Sequence, residues 1–201
     1  MILIEDKGQK EALHTLKNHY WKSKGIEVRR YPLPVGDYII INDKVQDVLD
    51  RKAHRGIEPK KMDFIGTYDV CVDTKQDIQE LVGDICGKQH DRFRDECLLA
   101  QNNGIKLYIL VENMSIDIKP NVTSPYISNL EDLHKWINPR LWIRRNGKQA
   151  YPNATRGQTL MKACITMEKK YGVKFEFCTP RDAGWRIVEL LVESEVNKNA
   201  I

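Results

Sequence analysis

Apolar residues at helical spacing predict five helices along the chain. One face of the first is formed by Leu13, Leu16, Tyr20 and Trp21. The other four are predicted at 78–86, 92–102, 159–170 and 183–193, and 130–137 allows one further short helix. Gly25, Gly87 and Asn103-Gly104 follow the first three helices and act as stop signals.

Short apolar runs rich in β-branched residues predict six strands between the helices. They lie at 2–4, 26–31, 35–41, 68–73, 105–111 and 173–178. The run at 105–111 is almost entirely apolar, which is typical of a strand buried on both faces. Because strands and helices alternate, the sequence predicts an α/β domain with a central mixed β-sheet flanked by helices.

Two segments interrupt this alternation. Residues 42–67 allow a short strand or a turn of helix. Residues 113–155 read as loops, with Asn146-Gly147 as the turn of a hairpin. We therefore predict one domain over residues 1–195 with insertions near 42–67 and 113–155, and a frayed tail at 196–201.

Composition and charge are those of an ordinary globular protein. The chain has 201 residues, an apolar fraction of 41% and a net charge of +4. No apolar run approaches the ~20 residues that a membrane span needs, so no membrane partner is expected. The N-terminal apolar run, MILI, is too short for a signal peptide, and the acidic residues Glu5 and Asp6 follow it directly. We therefore expect a cytoplasmic location.

The five cysteines lack metal-ligand spacing and are odd in number. We predict reduced, buried thiols rather than a disulfide framework or a zinc site. Basic residues cluster in the expected loops, which is compatible with a phosphate backbone as partner and equally with solvated loop charge.

The candidate chemistry lies in Val72-Asp73-Thr74-Lys75 and in Gly36-Asp37-Tyr38. On a strand, residues i and i+2 point to the same face, so Asp73 and Lys75 should project side by side. Asp37 follows a second apolar run. Two carboxylates and a lysine at strand ends suit a metal-dependent phosphodiesterase, whereas an aspartate and a lysine alone could equally form a surface ion pair.

These motifs resemble the G-D-Y … V-E-R-K core of XPF-type endonucleases, which belong to the restriction-endonuclease-like group. Further similar stretches are Ile4-Glu5-Asp6, Arg92-Phe93, 105–112 and 174–180. The likeness therefore spans nearly the whole chain. It is greatest to the stand-alone nucleases of this kind in phage and prophage genomes, which implies the host cell cytoplasm as location.

The resemblance implies a divalent-metal-dependent endodeoxyribonuclease that selects flap, fork or branched DNA. Asp37 and Asp73 would bind Mg²⁺ or Mn²⁺, with the carbonyl of Thr74 and the carboxylate of Asp6 completing the site. Lys75 would be the catalytic lysine, acting with Asp73 and Asp37. Asp6 would bind the metal directly or through water.

The chain departs from the family pattern at several positions. Asp73 replaces a glutamate and Thr74 replaces an arginine, and both departures favour a DNA-binding module without activity. Glu80 lies one position away from an acidic residue of the family. A competing lysine motif, Leu49-Asp50-Arg51-Lys52, has no strong β run before it and no amphipathic helix at the usual distance after it.

Four arginines are candidate DNA contacts. Arg92 would contact a phosphate or brace the site, as the resemblance implies. Arg140, Arg144 and Arg145 are interleaved with Trp136, Trp142 and Tyr151 in the second insertion. Arginines with aromatic residues can hold phosphates and stack bases. For the tryptophans we favour packing on the core, and for the arginines contact with DNA.

Two alternatives remain open beside the nuclease. One is a catalytically weak or inactive DNA-binding module of the same fold, and the other is a four-way-junction resolvase. Relatives often dimerise through a helix-hairpin-helix domain, which we do not find after residue 195. If the protein forms a homodimer, we therefore expect it to do so through the nuclease domain itself.

Overall fold

A mixed sheet of six strands forms the centre of the structure, a computed structural model that describes residues 1–10 and 15–196. The described residues form ten strands, of which β6 to β9 lie outside this sheet: β1 (Ile2–Asp6), β2 (Glu27–Tyr31), β3 (Tyr38–Ile40), β4 (Val70–Lys75), β5 (Lys106–Glu112), β6 (Ile116–Lys119), β7 (Val122–Ser124), β8 (Arg144–Arg145), β9 (Lys148–Gln149) and β10 (Lys174–Cys178). The sheet order is β10-β5-β4-β3-β1-β2. Strand β3 is antiparallel to both neighbours, and all other pairs are parallel.

Helices cover both faces of this sheet. They are α1 (Thr15–Ser23), α2 (Asp43–His54), α3 (Ile78–Cys86), α4 (His90–Asn102), α5 (Gly157–Tyr171) and α6 (Ala183–Val196). One face is covered by α1 and α6, and the other by α3, α4 and α5. The predicted α/β fold with a central mixed sheet is confirmed. None of the described helices has the length and apolar character needed to span a membrane.

Strand β5 lies inside the sheet, between β4 and β10, and is buried on both faces as predicted. Leu107, Ile109 and Val111 belong to the core under α3–α5, whereas Tyr108 and Leu110 face α6. Burying each such side chain stabilises the fold by about 1.5–3 kcal/mol. The rigid centre formed in this way holds β4, which carries the candidate site.

The first insertion contains more helix than the sequence pattern suggests. Residues 43–54 form three turns of α2, whose inward side chains are Val45, Val48 and Leu49. Asn42 caps this helix by accepting a hydrogen bond from the amide of Val45 at 2.9 Å. Its side-chain amide also donates to the carbonyl of Thr67 at 2.9 Å, which joins the two ends of the insertion.

The second insertion contains the hairpins β6–β7 and β8–β9 and two short 3₁₀ turns, Glu131–Lys135 and Pro139–Trp142. The predicted turn at Asn146-Gly147 is confirmed, with φ values of 49° and 75°. Such positive values at both central residues are typical of a two-residue hairpin. Trp136 is buried as predicted, but Trp142 is 41% exposed.

Several boundaries differ from the prediction. The strand expected at 35–41 begins only at Tyr38, because Gly36 turns the chain with φ = +73°. All five cysteines are free thiols, and Cys86 alone among them is exposed. Leu13 and residues 197–201, most of the predicted tail, lie outside the described residues, whereas Val196 belongs to α6.

Candidate active site

Asp73 and Lys75 lie side by side on one face of β4, as their spacing predicted. The Nζ of Lys75 is 2.7 Å from Oδ2 of Asp73 and 2.8 Å from Oδ2 of Asp84 on α3. All three residues are at least 95% buried. Burial opposes the charge of Lys75, but the two contacting carboxylates outweigh it and raise its pKa. Lys75 is therefore held as an ammonium ion.

The carboxylate of Asp73 has more negative charge around it than Lys75 alone balances. Burial raises its pKa well above the ordinary range, Lys75 opposes this, and Asp37 and Glu96 raise it further. A nearby divalent cation would stabilise the ionised carboxylate.

Asp37 is held at the start of β3 by main-chain and side-chain contacts. Its amide donates to the carbonyl of Val72 at 2.8 Å. Its Oδ2 accepts two hydrogen bonds from Thr74, one from the amide and one from the hydroxyl, both at 2.8 Å. No described residue donates a hydrogen bond to Oδ1. One oxygen is thus fixed in orientation and the other is free to bind a cation.

Asp6 lies at the rim of the same site, where its carboxylate accepts hydrogen bonds from the neighbouring loops. Its Oδ1 accepts a hydrogen bond from the amide of Leu33 at 2.7 Å, and its Oδ2 accepts one from Gly8 at 3.0 Å. Its own amide donates to the carbonyl of Asp37 at 2.8 Å. These contacts tie the end of β1 to the turn that carries Asp37.

Glu96 on α4 is a site residue that the sequence reasoning missed. Its Oε1 accepts a hydrogen bond from the amide of Gly36 at 2.9 Å, next to Asp37. Burial raises the pKa of Glu96, and Asp37 contributes in the same direction. The available signal was its position four residues after Arg92, one helical turn away on the same face.

Asp84 was also missed, although it lies one helical turn after Leu81 on the inward face of α3. A carboxylate on an apolar face usually has a buried partner, and here the partner is Lys75. Arg92 is 3.9 Å from the other oxygen of Asp84, and its side chain is 69% exposed. Arg92 therefore remains available to a ligand at the cleft.

The site opens into a cleft of ≈ 580 Å³. Its acidic lining residues are Asp6, Asp37, Asp73, Glu80, Asp95 and Glu96, and its basic ones are Lys61, Lys75 and Arg92. Six carboxylates against three basic groups give the cleft an excess of negative charge. A polyanionic ligand would be repelled unless a cation came with it.

The donor chemistry at this cleft suits Mg²⁺ or Mn²⁺. Among the described residues, no three candidate ligand side chains form a ready-made metal cluster. Magnesium, however, is usually bound by one or two carboxylates, with waters and substrate phosphates as the remaining ligands. Asp37 and Asp73 provide two such carboxylates, so the residues fit the ion.

The other predicted residues lie elsewhere. Arg140, Arg144 and Arg145 are exposed on the second insertion and do not line this cleft. The competing motif lies on α2, where Asp50 accepts a hydrogen bond from Gln46 and Lys52 pairs with Asp63.

Comparison with known proteins decides the family. A family model described as the ERCC4 domain matches residues 9–190. The chain belongs to the ERCC4-domain family. No curated protein matches the chain. The match covers both motifs of the site and five of the six strands of the sheet, all but β1, so the predicted XPF-type nuclease domain is confirmed.

Two solved structures share the fold of this ERCC4 domain. One is XPF from Aeropyrum pernix, with a TM-score of 0.53 and 13% identity over 97% of this chain. The other is the same protein in complex with DNA, with a TM-score of 0.52 and 14% identity over 98% of this chain. The chain covers 65% and 66% of their lengths. The predicted restriction-endonuclease-like fold is confirmed.

Proposed function

We propose that this ERCC4-domain protein is a divalent-metal-dependent endonuclease that hydrolyses phosphodiester bonds in flap, fork or branched DNA. The observation that carries the proposal is the arrangement of Asp37, Thr74, Asp73 and Lys75 at the ends of adjacent strands. Two carboxylates and an ammonium group share one acidic cleft there.

Each residue has a distinct role in this proposal. Asp37 and Asp73 would hold Mg²⁺ or Mn²⁺, and Asp6 would contribute through a water, since both its oxygens already accept backbone amides. The ion would acidify water and offset charge on the phosphate. Lys75 would orient the attacking water or neutralise developing charge, and Asp84 holds its ammonium in place.

The DNA partner is supported by the exposed Arg92 at the cleft, by three exposed arginines on the second insertion and by the family. Arg92 is positioned to contact a phosphate near the scissile bond. Arg140, Arg144 and Arg145 would contact DNA farther along, from the second insertion. We propose the cytoplasm as the compartment of this activity. Dimerisation through the nuclease domain is a separate prediction, which sedimentation analysis can test.

A cleavage assay tests the proposal. Duplex, flap, fork and four-way-junction DNAs are incubated with Mg²⁺, Mn²⁺ or EDTA. Metal-dependent cleavage of flap or fork DNA would support the proposed function, and selective cleavage of the junction would favour a resolvase. DNA binding without cleavage under any of these conditions would identify an inactive binding module instead.

A further inference from the structure

The first insertion presents an exposed methionine beside the acidic cleft. Residues Lys61–Phe64 form a 3₁₀ turn, and Lys61 at its start lines the cleft. Met62 follows directly and is 65% exposed, more than any other large hydrophobic side chain in the part of the chain that the structure describes. Because a 3₁₀ helix has about three residues per turn, Met62 points away from the side that Lys61 and Phe64 share.

The turn is anchored by contacts at both of its ends. Phe64 is fully buried, and its ring centre lies 6.2 Å from that of Tyr31. Oδ2 of Asp63 accepts a hydrogen bond from the amide of Lys60 at 2.7 Å. The same oxygen is 2.7 Å from Nζ of Lys52 on α2. These contacts fix the main chain of the turn, so its methionine is held out in solvent.

Basic side chains lie on either side of this methionine. Lys60 and Lys61 are exposed and form no ion pair with a described residue. On the other side, Arg51 and Arg55 of the α2 end line a cavity of ≈ 220 Å³, and Asp63 of the turn lines it too. The two arginines are exposed, lie one helical turn apart and also have no ion-pair partner within residues 1–10 and 15–196.

The acidic residues of the same stretch are already paired. Residues 55–65 contain two, of which Asp63 contacts Lys52 and Glu58 lies 3.0 Å from Nζ of Lys7. The four basic side chains therefore remain available to a polyanion. An apolar side chain between unpaired cations complements the stacked bases and flanking phosphates of duplex DNA.

The position of the turn also suits a duplex that enters the cleft. Consecutive Cα atoms are about 3.8 Å apart, and successive phosphates of one DNA strand are separated by about 3.4 Å along the helix axis. Met62 therefore lies within about one or two base steps of a phosphate that Lys61 contacts. Inserted apolar side chains such as methionine unstack a base step and kink the duplex.

From these observations we propose that the Lys61–Phe64 turn is a wedge that inserts Met62 into a base step of paired DNA beside the acidic cleft. Lys61 contacts a phosphate on the cleft side of this step, and Arg51 and Arg55 contact the backbone on the α2 side. The inference rests on the proposed function. It adds a contact with the duplex arm, made by an insertion to which that function assigns no residue.

The fluorescence of 2-aminopurine tests the wedge, because this base brightens when it is unstacked. The base is placed in turn at each of the first base pairs beside the branch of a fork DNA, and the complex is formed in Ca²⁺. The wild type is expected to raise the fluorescence at least about twofold at one or two adjacent positions. Bound DNA without brightening at any position would overturn the proposal.

Substitution of Met62 assigns the effect to this side chain. Met62→Ala is expected to abolish the brightening and to weaken binding by less than about tenfold, whereas Met62→Leu keeps both. Met114→Ala is the matched control, since Met114 is 56% exposed but lines neither the cleft nor the α2 cavity. Brightening by Met62→Ala equal to that of the wild type would refute the wedge.

The salt dependence of duplex binding tests the two arginines. Each phosphate contact contributes about −0.9 to the slope of log K against log[salt]. Combining Arg51→Gln with Arg55→Gln is expected to make this slope shallower by about 1.8. Arg181→Gln, at an exposed arginine just before α6, is expected to leave it unchanged. An unchanged slope in the double variant would contradict the backbone contact at α2.

The two proposals fail in different ways. If the wild type cleaves no DNA while Met62 still brightens 2-aminopurine, the wedge stands and the nuclease assignment falls. If the wild type cleaves DNA with metal without brightening, only the wedge is refuted. Absence of any DNA binding would overturn both.

Discussion

Thr74 donates two hydrogen bonds to one oxygen of Asp37, from its amide and from its hydroxyl, both at 2.8 Å. The family pattern has an arginine at this position. In the structure the shorter side chain orients a carboxylate across two adjacent strands. Thr74 therefore forms a contact between β4 and the turn before β3.

Thr74→Val tests this contact, because valine keeps the shape and the backbone amide but lacks the hydroxyl. A lost hydrogen bond of about 0.5–1.5 kcal/mol corresponds to a decrease of up to about tenfold in kcat. Thr74→Ser retains a hydroxyl and is the control, expected to stay near the wild-type rate. Equal rates for the valine variant and wild type in a flap-cleavage assay would show that the Thr74 hydroxyl does not contribute to cleavage.

Glu96 is expected to act both through its hydrogen bond and through its charge. Glu96→Gln keeps an acceptor for the Gly36 amide but removes a carboxylate beside Asp37. We expect unchanged thermal stability and weaker binding of Mn²⁺ in calorimetry. Glu96→Ala leaves the amide unsatisfied and should also lower the free energy of unfolding by about 1–3 kcal/mol. Identical Mn²⁺ affinity in the glutamine variant would restrict Glu96 to a structural role.

Asp84 is a positioning residue for Lys75, since its contact is with the ammonium group and it does not line the cleft. Asp84→Asn removes one of the two carboxylates that hold Lys75. We expect a lower kcat with an unchanged KM, because DNA contacts stay intact while the ammonium loses its fixed position. Asp84→Glu should restore part of kcat. A rise in KM alone would place Asp84 in DNA binding instead.

Gly36 is required by conformation and by space. Its φ is +73°, and an added Cβ would lie 2.8 Å from the Cβ of Cys71. Gly56 has a similar φ of +65° but nothing within 4 Å, so Gly56→Ala reports the backbone cost of about 1–2 kcal/mol alone. Urea denaturation should show a larger loss for Gly36→Ala. Equal losses would mean that the turn has room to relax.

The sequence predicts those features that depend on local spacing. The pairing of Asp73 with Lys75 follows from the two-residue period of a strand, and the turn at Asn146-Gly147 follows from residue chemistry. The buried strand β5 follows from an unbroken apolar run. Each of these needs only a few consecutive residues.

Features formed by tertiary packing were not predicted. Glu96 and Asp84 enter the site because α4 and α3 pack beside β4, a contact that no spacing in the chain reveals. The strand expected at 35–41 was too long because Gly36 packs against Cys71, which is distant in sequence. The helix α2 was underestimated because its cap at Asn42 also depends on Thr67.

The central claim is that Asp73 and Lys75 carry out metal-dependent cleavage of DNA. The most direct measurement compares Asp73→Asn and Lys75→Ala with Asp50→Asn, which alters the competing motif on α2. Cleavage of flap DNA in Mn²⁺ and DNA binding in Ca²⁺ are measured for each. The account predicts that both site variants lose cleavage and retain DNA binding, while Asp50→Asn cleaves like the wild type. Cleavage at the wild-type rate by both site variants would contradict it.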